Sequence, residues 1–156
     1  MKLLAVIAML LAVGLIGGCG VPPAAPPSAS QRVETASMRY VKAIITRDAA
    51  TVDSMDLTVG AHPEVDVDLP GPGPFIDRLR AQVLGAYEPT MTAVTGATVK
   101  AWFTDGLDLP KGASPPDRAF EVEVDLRWNG SPPIQLPVSV DGVLRPDGSV
   151  AIYGIE

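Results

Sequence analysis

The side chains able to do chemistry are few and unevenly placed. Among 156 residues there is one cysteine, Cys19, and one histidine, His62. A Ser-His-Asp or Cys-His site would have to use His62. That residue precedes Pro63 in a Gly/Pro-rich stretch, and the chain has no Gly-x-Ser-x-Gly nucleophile motif. His62 therefore reads as a solvated loop histidine. Zinc needs clustered His and Cys, which the chain lacks. Asp66-x-Asp68-x-Pro70-Gly71, with Asp77 further on, comes close to a calcium loop. Pro70, however, offers no side-chain oxygen at the fifth position, and Asp77 is one methylene shorter than the usual bidentate Glu. These acids read as solvated. Gly71-Pro72-Gly73-Pro74 is no phosphate cradle, because proline removes the amide donors such a loop uses. Nothing singles out a glycosidase-type carboxylate pair among the 18 acids. These residues point away from an enzyme, and no catalytic residue, metal or cofactor is expected.

Cys19 is different. It follows a short basic start, Met1-Lys2, an apolar run from Leu3 to Ile16 and the small residues Gly17-Gly18. The order is that of a secretory signal: charged, apolar, small, then the cut. With Gly17 and Gly18 the run is 16 residues, below the roughly 20 that cross hydrocarbon, and no basic cluster follows it as a stop signal. Ile16-Gly17-Gly18-Cys19 resembles the bacterial lipobox. That resemblance implies cleavage before Cys19, acyl chains (such as palmitate) on its sulfur, and a place on the extracytoplasmic face of the cell membrane. A single acyl chain holds only marginally, so the two or three of a lipoprotein are what stable anchoring needs. An exported chain with one cysteine has no internal disulfide to form, which leaves this sulfur for another use.

Charge and composition bound the partners. The formal net charge is −6, or −7 once Lys2 is removed with the signal. An acidic surface without basic clusters argues against nucleic acid, and against binding anionic lipid by charge alone. The 138 residues from Cys19 onward suit one domain. Only 5% of residues are aromatic, so the core must rest on Val, Ile, Leu and Ala. Abundant Ala, Val, Gly and Pro look like an actinobacterial protein.

The elements follow from periodicity. Residues 20–31 carry two proline pairs, which favour polyproline II and make a tether. From Arg32, the positions Val33, Tyr40, Val41, Ile44 and Ile45 recur at helical spacing. Asp48 then caps a second short helix with Val52 and Met55 inward. A short strand is suggested near 64–69. A third helix is expected over Pro74–Tyr87, with proline at its first position. Residues 91–104 hold a strand, best in Thr98–Thr104, with Val99, Ala101 and Phe103 on one face and Lys100 and Trp102 on the other. Phe120, Val122, Val124, Leu126 and Trp128 alternate with Glu121, Glu123, Asp125 and Arg127, the mark of a half-buried antiparallel strand. Ile134, Leu136, Val138 and Val140 alternate again with Gln135, Pro137, Ser139 and Asp141 in a strand over Ile134–Leu144, Pro137 on the polar side suggesting an edge or bulge. Arg145-Pro146-Asp147-Gly148 is a turn, and Ser149–Ile155 closes the sheet.

Helices followed by strands imply an α+β fold with the helices on one face of an antiparallel sheet. The domain plan is a signal over 1–18, a lipidated cysteine and tether over 19–31, and one α+β domain over 32–156. The segment 36–55, with its amphipathic helix, Arg47-Asp48 and second helix, resembles the opening of nuclear transport factor 2-like (cystatin-like) domains. The three consecutive strands after residue 117 strengthen the likeness. It implies a cone of curved sheet around the first helix, often with a pocket for a small apolar molecule. Tyr40, Tyr87, Phe103, Phe120 and Trp128 are the candidate lining; their other role is to fill the core. Three functions remain open: a non-enzymatic module binding a small apolar ligand or an envelope partner, an accessory interaction protein without ligand, and an enzyme using a pocket carboxylate.

Overall fold

Ser28 and Gln31 fix where the first helix begins. The Ser28 hydroxyl accepts from the Gln31 amide at 3.2 Å, and the Gln31 side chain accepts from the Ser28 amide at 2.8 Å. This reciprocal cap satisfies two amide donors that a helix start leaves open. Helix α1 thus spans Ala29–Thr46. Residues 29–31, expected in the tether, are helical, because the Ser-x-x-Gln cap outweighs the proline-rich context. The computed structural model describes residues 25–57, 75–103, 109–110 and 112–156. Cys19, His62, Asp66, Asp68, the strand expected near 64–69 and the Gly-Pro run lie outside the described residues.

Val33, Ser37, Tyr40, Val41, Ile44 and Ile45 form the buried stripe of α1. Arg47 ends it in the left-handed conformation, φ 59°, while the Asp48 amide reaches back to the Ala43 carbonyl at 2.8 Å. Asp48 also caps helix α2, Ala49–Met55: its carboxylate accepts from the Thr51 amide at 3.1 Å and the Thr51 hydroxyl at 2.7 Å. Those two bonds hold its pKa below the usual value. Val52 and Met55 point inward, as their spacing predicts. Helix α3 is Phe75–Leu84, with Leu79, Val83 and Leu84 buried. It stops short of Tyr87 because Gly85 turns left-handed, φ 55°.

The strands β1 (Thr92–Phe103), β2 (Arg118–Trp128), β3 (Ile134–Leu144) and β4 (Val150–Ile155) form one antiparallel meander in sequence order. The protein is α+β, with three helices on one face of this sheet. Phe120, Val122, Val124 and Leu126 are fully buried beneath the helices, together with Val138 and Val140 of β3. Pro137 pairs with Asp125 of β2, while pairing on its other side begins only at Ser139. It therefore sits at a local edge, where its missing N–H leaves no gap in a ladder.

Strand β1 departs from strict alternation. A register shift between Val99 and Ala101 places Trp102 opposite Phe120 and Phe103 opposite Ala119. Val99 and Trp102 therefore share the helix-facing side, and Phe103 turns to the outer face. The expected grouping of Val99 with Phe103 is corrected by this bulge, which adds a residue and inverts the alternation beyond it. The Val99 amide donates to Glu34 Oε1 at 3.4 Å, so α1 supplies a partner where the ladder is interrupted.

Candidate functional site on the outer sheet face

The face of the sheet away from the helices is built from the polar half of each alternating strand. β2 contributes Glu121, Glu123 and Asp125; β3 contributes Ser139 and Asp141. Beside Phe103, Leu109 and Ala113 cover Ala119, Val143 and Ala151, so one end of this face is apolar and closed. Next to that closed end is an open depression of about 450 Å³ lined by Phe103, Glu121, Ser139, Asp141, Tyr153 and Glu156.

Cross-strand register assembles the site. Glu121 stands opposite Asp141, and Asp141 opposite Gly154. A shift in β4 opposite the step from Asp141 to Gly142 inserts an extra residue. Tyr153 stays on the outer face, Ile155 turns into the core, and Glu156 follows Gly154 outward. Ser139 and Glu156 exchange backbone hydrogen bonds at 2.9 Å in each direction, which fixes Glu156 at the rim. A Cβ on Gly154 would sit 3.2 Å from Asp141 Oδ2, so the glycine leaves the carboxylate its room.

The electrostatics are one-signed. Burial pushes the Asp141 carboxyl pKa up, and the charges of Glu121 and Glu156 push it further. The Ser139 hydroxyl donates to Glu121 Oε1 at 3.3 Å. Among the described residues no group of three His, Cys, Asp or Glu is placed to hold a metal ion. The three carboxylates ring the depression instead of converging on a point. With Phe103 and Tyr153 at its sides, the geometry suits an organic cation, an ammonium or guanidinium group that can meet both carboxylates and ring faces.

The five aromatic residues singled out by sequence go to different places. Tyr40 and Phe120 are buried in the core. The Tyr40 hydroxyl donates to Asp56 Oδ2 at 3.2 Å, and burial together with the Asp56 charge pushes its pKa far up, so it stays a protonated donor. Phe120 meets Trp102 edge-on, with centroids 6.0 Å apart, and the Arg118 guanidinium lies 4.3 Å from the Trp102 ring centre. Tyr87 and Trp128 do come together, at 5.4 Å, at the end of α3. Tyr87 also lines a second depression, about 270 Å³, with Arg47, Asp77 and Arg80. Asp77, weighed above as a calcium ligand, is 2.6 Å from Arg47. Of the five, only Phe103 borders the acidic depression.

Glu121, Ser139, Asp141, Tyr153 and Glu156 were not legible as a site. The alternation of β2 and β3 puts the first three on the polar face, but their meeting with Tyr153 and Glu156 depends on the β4 irregularity, for which the sequence offers no signal beyond Gly154. No described helix is long and apolar enough to cross a membrane. Comparison with protein-family models, with curated proteins and with solved structures gives no match.

Proposed function

We propose that the chain is a lipid-anchored, extracytoplasmic binding module, held to the membrane through acyl chains on Cys19, that takes a cationic group of an envelope partner on the outer face of its sheet. The observation that carries the binding reading is the depression between Phe103 and Tyr153, where Glu121, Asp141 and Glu156 keep a carboxyl group under strain of charge. A half-buried acid held next to two like charges is costly to a fold and is relieved by a bound cation. The anchoring reading rests on Ile16-Gly17-Gly18-Cys19 and the apolar run before it.

Binding between helices and sheet is the weaker reading, since that side is occupied by Phe120, Val122, Val124 and Leu126, all fully buried. The domain is proposed to be nuclear transport factor 2-like as well: a long first helix across one face, and bulges in β1 and β4, support this. An enzyme reading would draw on Tyr40 and Asp56. Those two residues line neither depression and tie α1 to the end of α2.

The test is a titration of the isotope-labelled protein with a lysine-rich hexapeptide, followed by amide shifts, against a neutral peptide of equal length. Shifts at Ser139, Asp141 and Tyr153 that weaken with salt and vanish in Glu121→Gln/Asp141→Asn are expected. Shifts elsewhere, or equal shifts in the variant, would overturn the outer-face site.

A further inference from the structure

A groove at the start of α1 is basic where the outer-face depression is acidic. This groove of about 360 Å³ runs between the start of α1 and the turn joining β3 to β4, lined by Pro27, Arg32, Arg39, Met55, Gly148 and Val150 among others. Among the described residues its lining contains two guanidinium groups and no carboxylate. Arg32 and Arg39 lie seven residues apart, two turns on one side of the helix. Neither is within ion-pair distance of a carboxylate among the described residues, although the charge of Arg39 is felt at Asp48. Arg32 is held in place: its Nε donates to the Pro27 carbonyl at 3.2 Å, and its guanidinium fills the space a side chain on Gly148 would need. The floor between the arginines is apolar, formed by Ala36, Met55 and Val150.

From these residues we infer that the groove seats the phosphate headgroup of an anionic lipid, orienting the domain with α1 toward the bilayer and its acidic sheet face outward. The inference rests on the membrane-anchored reading above. Chain length argues for this occupant. Only eight peptide steps separate Cys19 from Pro27, which even fully extended span no more than about 29 Å, so an acylated Cys19 keeps the groove within that distance of headgroups. Charge argues for it too. The two arginines present a phosphate with donors over an apolar floor that suits the glycerol and first methylenes of a lipid. The helix start itself is not the binding element, because Ser28 and Gln31 already cap it.

The test uses the full protein purified from host membranes and reconstituted in vesicles of phosphatidylcholine alone, or of phosphatidylcholine with about one-third phosphatidylglycerol. Hydrogen exchange is read over 31–39 and 148–150. Slower exchange in the phosphatidylglycerol vesicles is expected. The docked population should fall about fivefold for Arg32→Gln and about fivefold for Arg39→Gln. Arg127→Gln, which removes the same charge from the other face, should leave it unchanged. Arg39 is exposed, so its variant keeps the test sound if Arg32→Gln disturbs the fold. Three results would overturn the inference: protection independent of phosphatidylglycerol, protection that survives in Arg39→Gln, or equal protection by inorganic phosphate over neutral vesicles, which would make this a free-anion site. Intact mass of the same sample reports acylation separately, so a failed anchor and a failed groove are distinguishable.

Discussion

The Phe120 ring lies across Gly142, its cross-strand partner, in the space that a Cβ at position 142 would need. The same Cβ would come 2.7 Å from the Ala151 carbonyl oxygen, so ring and backbone close on the glycine from two sides. Phe120 is fully buried and packed against Trp102, which leaves it little freedom to move aside. Gly142→Ala should therefore destabilise the domain by about 1–3 kcal/mol, the usual cost of overpacking. Urea unfolding followed by far-UV circular dichroism measures it.

The Tyr40–Asp56 hydrogen bond carries a pH signature. Burial and the Asp56 charge push the folded phenol above its ordinary pKa near 10. The unfolded phenol therefore ionises first. The stabilising contribution is intact below about pH 10 and is lost as pH rises above it, at up to about 1.4 kcal/mol per unit. Tyr40→Phe should flatten that alkaline loss and cost about 1–3 kcal/mol at pH 7 through the missing bond to Asp56. Thermal melts from pH 7 to 11 separate the two effects.

Asp141 has the reverse consequence at acid pH. Its folded pKa is raised, so ionising it opposes folding, and the penalty grows as pH rises through its titration range from about 4. Asp141→Asn should match the wild type below that range and exceed it at pH 7, by no more than about 1 kcal/mol because the group is half exposed. The same substitution should weaken binding of the lysine-rich peptide. Stability gained with binding lost is the expected mark of a residue kept for function.

Arg47 combines backbone strain with an ion pair. Its left-handed conformation costs a non-glycine residue about 1–2 kcal/mol, while an exposed pair with Asp77 returns at most about 1 kcal/mol. Arg47→Gly should therefore be about 1 kcal/mol more stable than Arg47→Ala, which keeps the strain and loses the pair. Equal stability of the two would show that position 47 relaxes when the side chain is removed.

The elements were legible where one period runs unbroken. Phe120 to Trp128 and Ile134 to Asp141 alternate without interruption, and both strands have the bounds expected of them. Asp48 and Arg145-Pro146-Asp147-Gly148 act locally, so their cap and turn could be read residue by residue. What could not be read depends on register. The bulge after Val99 exchanges the faces of Trp102 and Phe103, and the irregularity in β4 sends Ile155 inward and Glu156 outward. Each is a single extra residue whose placement is settled by packing across the sheet. The acidic depression is made at those two irregularities, which is why its residues were visible one by one but not as a group.

The proposed membrane attachment turns on Cys19, and one measurement tests it directly: the intact mass of the protein isolated from its host, alongside Cys19→Ala. The wild type should begin at Cys19 and carry the added mass of two or three acyl chains, and Cys19→Ala should carry none. A wild-type chain that retains residues 1–18, or that bears no acyl mass while partitioning as Cys19→Ala does, would contradict the lipid anchor.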